Sequence, residues 1–250
     1  MGGPLGGLHA LVTGGGSGIG AACALALAQH GATVTVLGRR ADALTAVGAA
    51  GVAVADVTDS AALAASIAEA AAARGNIAIL VNAAGAAESA PFARADDALW
   101  DRMLAVNLRG AVNAIRAVLP GMLERRQGRI VTIASTAGLK GYAYVTAYTA
   151  AKHAVIGLTR ALAQEVATKG ITVNAVCPGF TDTDLVAESV ARIVSTTGRD
   201  AAAARAELAR HNPQGRLLRP EEVAAAVVAL CLPGASGING QSIAVDGGET

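Results

Sequence analysis

The chain has 250 residues, of which 53% are hydrophobic and 16% are charged, and its formal net charge is +1. Such an apolar composition excludes a disordered protein, and a chain of this length can bury the core of one α/β domain without disulfides or metal. The near-neutral charge and the lack of any basic run argue against nucleic acid or an anionic membrane as a partner.

Short β-rich runs alternate with alanine-rich helical stretches along the chain. The strand candidates span residues 8–13, 33–38, 52–57, 77–83, 128–135, 171–177 and 241–247, and the main helix candidates span 19–30, 60–74, 99–123, 147–168 and 220–230. Most strands are continuously apolar, which is typical of parallel strands covered on both faces. The alternation predicts a three-layer α/β Rossmann fold, with a doubly wound, seven-stranded parallel sheet between helices, in a single domain of residues 1–250.

One segment, from about residue 183 to 218, interrupts this alternation. It carries apolar residues at helical spacing between 185 and 194, followed by an alanine- and arginine-rich helix candidate over 200–210. Long excursions at the strand ends commonly cover binding sites, so the segment is predicted to form a small helical lid.

The run "TGGGSGIG" at residues 13–20 lies between the first strand and the first helix. Gly14 allows a tight turn, Gly18 lets the backbone approach a pyrophosphate, and Gly20 lets helix and strand pack closely. A flexible glycine turn is the alternative interpretation of the motif alone. Its position before a helix N-terminus, which attracts anions, favours dinucleotide binding.

The end of the second strand indicates which dinucleotide binds. An acid there would bond the adenosine ribose hydroxyls, whereas an arginine accepts a 2′-phosphate. The sequence here is Gly38-Arg39-Arg40, with no carboxylate, so NADP(H) is favoured and Arg39 is the better phosphate ligand. Ser17 adds no cation to the glycine turn, which leaves NAD(H) open.

Tyr148 and Lys152 are four residues apart and therefore share one face of the helix that follows the fifth strand, and Ser135 ends that strand. A phenol with an ordinary pKa near 10 becomes a useful base at neutral pH only if its anion is stabilised by about 4 kcal/mol. An ammonium group and an oxidised nicotinamide in a dry cleft can supply that stabilisation. Tyr148 would then transfer the proton, and Ser135 would hold the substrate oxygen. The alternative is an interfacial tyrosine beside an exposed lysine.

These motifs together resemble the short-chain dehydrogenase/reductase family, in its compact single-domain branch. The resemblance covers almost the whole chain in order, and it includes the glycine turn, Asn82-Ala83-Ala84-Gly85, Pro178-Gly179 and the set Asn107, Ser135, Tyr148 and Lys152. Two departures are minor. "NAAG" replaces the commoner "NNAG", and Ser17 stands where many NADP-dependent members have a basic residue.

The resemblance implies reversible interconversion of a ketone and a secondary alcohol, with Asn107, Ser135, Tyr148 and Lys152 as the catalytic residues. In the family, the lysine binds the nicotinamide ribose and lowers the tyrosine pKa, and the asparagine positions a water. The expected cofactor-binding residues are Thr13, Gly14, Gly16, Ser17, Gly18, Ile19, Gly20, Arg39, Asp56, Val57, Asn82, Ala83, Ala84, Gly85, Tyr148, Lys152, Pro178, Gly179, Thr181 and Thr183.

Residues 128–180 look most like ketoreductases of acyl thioesters and polyketides, such as 3-oxoacyl-carrier reductases and 3-hydroxyacyl-CoA dehydrogenases. The expected substrate contacts are Ser135, Ala137, Leu139, Val145, Tyr148 and Phe180, which suit a free aliphatic, cyclic or aromatic ketone equally well. Arginines 192, 199, 205 and 210 either meet the phosphates of a carrier or only aid solubility. A nucleotide-sensing protein without chemistry is the alternative from another class, and it would require a damaged catalytic set.

The remaining expectations concern the cysteines, assembly and location. Cys23, Cys177 and Cys231 are far apart in apolar surroundings and are predicted to be buried, reduced thiols, and no metal site is predicted. No apolar run reaches the roughly 20 residues of a membrane span and no secretory signal is visible, so a cytoplasmic protein is expected. By resemblance, we expect a homotetramer in which helices 99–123 and 147–168 pair across subunits.

Overall fold

A parallel sheet lies at the centre of the molecule. The computed structural model describes residues 3–49 and 51–250. The strands are β1 (His9–Thr13), β2 (Thr33–Gly38), β3 (Gly51–Val54), β4 (Ile77–Asn82), β5 (Gly128–Ile133), β6 (Ile171–Pro178) and β7 (Ser242–Val245), in the spatial order β3-β2-β1-β4-β5-β6-β7. The winding reverses between the neighbours β1 and β4, which confirms the doubly wound fold and places the ligand crevice beside those two strands.

Helices cover both faces of this sheet. They are α1 (Gly18–Gln29), α2 (Ala41–Ala46), α3 (Ser60–Arg74), α4 (Asp97–Leu104), α5 (Gly110–Arg125), α6 (Thr146–Val166), α7 (Asp184–Thr197), α8 (Ala201–Ala209) and α9 (Pro220–Cys231). Helices α1 and α9 pack with Val12 and Val81 in one buried cluster, whereas α3, α5 and α6 pack with Leu11 and Leu80 in another. Successive strand residues thus face opposite layers, which explains the continuously apolar strand sequences.

The edge strand β3 is shorter than predicted and ends at Val54. Beyond it, the Asp56 carboxylate accepts hydrogen bonds from the backbone N–H and the hydroxyl of Thr58, which turns the chain away from the sheet. Val52 and Val54 are exposed, so β3 is not covered on both faces as predicted. The opposite edge strand, β7, is also shorter than its predicted range of 241–247.

The helix predicted over residues 99–123 is interrupted. Helix α4 is followed by a π-helical turn, Ala105–Arg109, before α5 begins. Within that turn the side chain of Asn107 donates a hydrogen bond to the Met103 carbonyl oxygen, 3.0 Å away. A polar group inserted into the carbonyl ladder is a recognised cause of such local widening.

Residues 183–218, the predicted lid segment, contain two helices. Helices α7 and α8 pack on each other around the buried side chains of Val186, Leu208 and Leu217. The two ends of this segment lie side by side, because Leu218 pairs with Thr181 in a parallel bridge. In residues 3–49 and 51–250, no helix combines the length and the hydropathy that a bilayer crossing requires.

Candidate active site

The glycine turn lies directly on the residues that follow β4. The Thr13 carbonyl accepts a hydrogen bond from the Ala83 N–H (3.2 Å), and the Thr13 hydroxyl accepts one from the Ala84 N–H (3.3 Å). Gly14 has φ +65°, and a Cβ there would lie 2.7 Å from Ala84 Cα. Only glycine fits this position, and its absence of a side chain brings β1 and β4 together at the crevice.

The start of α1 faces the start of the lid. Ser17 is the N-cap residue of α1, but its side chain makes no capping hydrogen bond. Gly18 has φ +50°, and a Cβ there would lie 3.0 Å from the Thr183 side chain, which precedes α7. The positive end of α1 is therefore bordered by Thr183, as expected for a pyrophosphate site beneath a lid.

This crevice suits a dinucleotide. A Cβ at Gly16 would lie 3.3 Å from Ala43, and one at Gly20 would overlap the Gly14 carbonyl, so both glycines keep the turn narrow. At the end of β4, the Asn82 amide nitrogen donates to the Thr132 hydroxyl, but the buried Asn82 Oδ1 has no hydrogen-bond partner in the described part of the chain. An unpaired buried acceptor at this edge is available to a bound group.

Arg39 lies at the end of β2, as predicted, with its side chain 77% exposed. Its guanidinium is 3.9 Å from the Asp56 carboxylate. Hydrogen bonds from Thr58, with a smaller contribution from Arg39, lower the pKa of Asp56. Val57, which follows Asp56, is buried, and its carbonyl accepts a hydrogen bond from the Asn113 side chain (2.9 Å).

The structure brings Ser135, Tyr148 and Lys152 together. Ser135 follows β5, and its hydroxyl oxygen accepts a hydrogen bond from the Ala137 N–H at 3.0 Å. Tyr148 and Lys152 lie one turn apart on α6, with Lys152 Nζ 5.5 Å from the centre of the Tyr148 ring. Lys152 Nζ also donates to the Ile133 carbonyl oxygen at 2.9 Å, which holds the ammonium at the end of β5.

Burial dominates the acid–base properties of this group. It raises the pKa of Tyr148, while the hydrogen bond with Ser135 acts in the lowering direction. Burial also lowers the pKa of Lys152 to about 8. In the chain by itself, the desolvation of the phenol therefore outweighs its favourable contacts. The lowering of the Tyr148 pKa by Lys152 together with an oxidised nicotinamide remains a prediction.

Asn107 reaches the same site from the π-helical turn. Its amide nitrogen donates to the Ala86 carbonyl (2.9 Å) and its Oδ1 accepts from the Ala86 N–H (3.3 Å). A Cβ at Gly85 would lie 3.1 Å from Asn107 Oδ1 and 3.8 Å from Lys152 Nζ. Asn107 and Lys152 thus border Gly85 from two elements, and a side chain at that position would come between them.

The turn after β6 lies at the same edge of the sheet as Ser135, because β5 and β6 are parallel neighbours. Pro178 ends the strand, and the Gly179 N–H donates to the Val245 carbonyl at 3.0 Å. The buried Thr181 hydroxyl donates to the Gly179 carbonyl (3.0 Å), and the Thr183 hydroxyl donates to the Thr181 carbonyl (3.2 Å). Both hydroxyls therefore stabilise the turn in this structure.

The expected substrate residues lie on two segments. Ala137 is buried after β5, Leu139 packs beside it against a small core cluster, and Val145 is the N-cap residue of α6. Phe180 packs against the lid and meets the rings of Tyr142 and His211, at centroid distances of 6.0 and 5.1 Å. Sequence reasoning missed Tyr142 and His211, because only the fold brings them to Phe180.

Three of the four lid arginines already have partners within the chain. Arg205 pairs with Asp182 at 2.5 Å, Arg210 pairs with Glu207 at 3.3 Å, and Arg192 donates to the Ser89 carbonyl at 3.4 Å. These contacts reduce the charge available to the phosphates of a carrier.

The three cysteines are free and buried. Burial raises the thiol pKa to about 12 for Cys23 and Cys231 and to about 11 for Cys177, so these thiols are unreactive at neutral pH. In the described residues, no three His, Cys, Asp or Glu side chains are grouped so that they could hold a metal ion.

Comparisons with known proteins show the family of the chain. The family model "short chain dehydrogenase" matches residues 8–193. The chain is 40% identical to 2-(S)-hydroxypropyl-CoM dehydrogenase 3 of Xanthobacter autotrophicus, over 96% of this chain and 95% of that protein. It is 38% identical to an acetoacetyl-CoA reductase of Rhizobium meliloti, over 96% and 97% of the two chains.

A solved structure, that of a variant of actinorhodin polyketide ketoreductase with NADPH, superposes with a TM-score of 0.93. That protein is 36% identical, and the match covers 100% of this chain and 99% of that one.

Proposed function

The chain belongs to the short chain dehydrogenase family and is an oxidoreductase of ketones and alcohols, and from that premise we propose that it reduces a 3-oxoacyl thioester with NADPH. The observation that carries the proposal is the convergence of Ser135, Tyr148 and Lys152 beside the glycine turn. Their contacts suit a carbonyl oxygen that gains a proton while its carbon gains a hydride.

A bound nicotinamide dinucleotide supplies or accepts the hydride. Thr13, the glycine turn and the start of α1 would hold its pyrophosphate, and Arg39 would pair with the 2′-phosphate. The turn after β6 and Thr183 would hold the nicotinamide end. An exposed Arg39 beside a β2 end without an acid supports NADP(H), as does the NADPH in the related ketoreductase structure.

In the reductive direction, Tyr148 donates its phenolic proton to the carbonyl oxygen while Ser135 donates a hydrogen bond to the same oxygen. Burial raises the pKa of Tyr148, so the phenol is protonated at neutral pH, and its anion must be stabilised before it gives up that proton. Lys152, fixed by the Ile133 carbonyl, stabilises the phenolate that forms. Asn107 lies across Gly85 from Lys152 and would position the water that returns a proton.

The thioester assignment rests on the two relatives that are named for acyl-CoA and polyketide substrates. The apolar side chains of Ala137, Leu139, Val145 and Phe180 suit a short acyl chain. A homotetramer that pairs through residues 99–123 and 147–168, a single domain and a cytoplasmic location remain predictions. Light scattering on the purified protein tests the first of these.

The decisive experiment is a substrate panel run with NADPH and with NADH, following nicotinamide absorbance. It compares acetoacetyl-CoA with free ketones, and wild type with Tyr148→Phe. We expect NADPH-dependent reduction of acetoacetyl-CoA, and we expect Tyr148→Phe to bind NADPH normally while losing about 10²- to 10⁴-fold in kcat. Unchanged turnover in Tyr148→Phe would refute the mechanism, and a preference for free ketones or NADH would refute the assigned substrate or cofactor.

A further inference from the structure

A buried carboxylate lies on the segment that follows β7. It is beside the rings of Tyr142, Phe180 and His211, which together are called the aromatic wall. The side chain of Glu249 is only 3% exposed. Its Oε1 accepts a hydrogen bond from the Tyr142 hydroxyl at 2.5 Å and lies 3.0 Å from Lys140 Nζ and 3.5 Å from His211 Nδ1. Three segments distant in sequence therefore meet at one oxygen atom.

The segment that carries Glu249 is itself fixed. Asp246, which is buried, accepts hydrogen bonds from the backbone N–H groups of Gly248 and Thr250 and from the Thr250 hydroxyl. This turn determines where the Glu249 side chain begins. A carboxylate with one end anchored in this way can hold the groups that bind its other end.

The hydrogen bonds run in one direction toward Glu249. The Tyr142 proton is used in the bond to Oε1, so at the second bond, 2.7 Å between the Thr136 and Tyr142 oxygens, Thr136 must be the donor. Thr136 is buried and directly follows Ser135. The orientation of the chain just after Ser135 thus depends, through Tyr142, on the carboxylate.

The same carboxylate contacts two residues of the aromatic wall, Tyr142 and His211. The ring of Tyr142 meets the rings of Phe180 and His211 edge-on, at 6.0 and 5.5 Å between centroids. His211 follows α8 and contacts the carboxylate through its own ring nitrogen. Losing the Tyr142–Glu249 bond would therefore loosen the wall and the Ser135 loop together.

We propose that Glu249 is a positioning residue of the active site, holding Thr136 beside Ser135 through Tyr142 and holding the aromatic wall of Tyr142, Phe180 and His211. The inference rests on the proposed function, because Ser135 and Phe180 are assigned there to the substrate. It assigns no contact between Glu249 and the substrate.

The test compares Glu249→Gln, Tyr142→Phe and the double variant with wild type. Tyr142→Phe removes one oxygen and keeps the ring, so the core should tolerate it. Each single change is expected to lower kcat/KM for the ketone about tenfold, the effect of one lost charge-assisted hydrogen bond, while NADPH affinity changes by no more than about twofold. The double variant should be no worse than the poorer single variant, because both changes break one chain of contacts.

Two matched substitutions serve as controls. Tyr144→Phe makes the same change at an exposed tyrosine two residues on, and Glu207→Gln removes an exposed carboxylate from α8. Both should retain wild-type kinetics. Hydrogen exchange of residues 136–142, which needs no substrate, should accelerate in Glu249→Gln and Tyr142→Phe only.

Three outcomes would overturn the proposal. They are single variants with wild-type kinetics, losses in kcat/KM that multiply in the double variant, and a loss of NADPH binding in Tyr142→Phe as large as its loss in kcat/KM. If wild type reduces no ketone, the proposed function fails, and the exchange of residues 136–142 alone then decides whether Glu249 holds that loop.

Discussion

Lys152→Met should reduce the pH dependence of stability while abolishing turnover. Lys152 is almost fully buried, and burial lowers its pKa from 10.5 to about 8. Because the folded-state pKa is the lower one, the charged lysine disfavours the folded state. This penalty is present below pH 8 and disappears as the pH rises from 8 to 10.5, where the unfolded chain also loses the proton.

The expected magnitude follows from the size of this shift. At about 1.4 kcal/mol per pH unit, it corresponds to roughly 3 kcal/mol in the free energy of unfolding. Methionine matches the length of the lysine stem but leaves the Ile133 carbonyl without its donor, at a cost of about 1–3 kcal/mol. That cost does not vary with pH, so the pH-dependent part isolates the buried charge.

Urea unfolding of both proteins at several pH values between about 7 and 10 measures the effect. The free energy of unfolding of wild type, taken relative to that of Lys152→Met, should rise by about 2–3 kcal/mol as the pH increases over this range. Lys169→Met is the matched control, since Lys169 is exposed, and its difference from wild type should stay flat. A flat difference for Lys152→Met as well would show that Lys152 is not a desolvated ammonium, and the account of the site would fail.

Other residues give further tests. Gly14→Ala should weaken NADPH binding more than about tenfold, because its Cβ would collide with Ala84 and the backbone there is left-handed. An affinity equal to that of wild type, measured by calorimetry, would contradict the assignment of the glycine turn to the pyrophosphate. Arg39→Ala should raise the KM for NADPH about tenfold and leave that for NADH unchanged; equal effects on both would remove the phosphate contact. Glu222 accepts two hydrogen bonds from Arg216 and one from the Arg219 N–H, and the bond with Arg216 is the main cause that lowers its pKa to about 2. A carboxyl group whose pKa is lowered in the folded state stabilises the fold at pH values above its ordinary pKa of 4.5, and this stabilisation is lost as the pH falls toward 2. Glu222→Gln should therefore lower the Tm at pH 7 but have less effect at about pH 3. A Tm difference that does not shrink in acid would show that the ion pair is not its source.

The sheet could be predicted from the sequence because its inner strands are apolar on both faces and its helices are separated by clear breaks. The predicted bounds of β3 and of the helix over 99–123 were wrong, because local hydrogen bonds set them. Asp56 ends β3 by binding Thr58, and Asn107 widens the helix by binding the Met103 carbonyl. Neither signal is visible in hydrophobic periodicity. Helix α2 was missed because six residues show too little of a helical pattern.

Motifs identified the site residues that lie close in sequence or carry a family spacing, such as the glycine turn and the tyrosine–lysine pair. They did not reveal Glu249, which meets Tyr142 across 107 residues of chain. Contacts of this range depend on how the strands are ordered, and local sequence carries no record of them. The direction in which the folded chain by itself moves the pKa of Tyr148 could not be predicted for a related reason, since the extent of its burial is a property of the folded chain.

The π-helical turn makes the spacing between α4 and α5 sensitive to single insertions and deletions. Each residue advances a helix by about 100°, so removing one from 105–109 would restore a regular helix and rotate one flank relative to the other. Either Asn107 would leave Gly85, or the packed face of α5 would turn from the sheet toward solvent. Natural variants of this chain should therefore tolerate substitutions in this region much more readily than changes in its length.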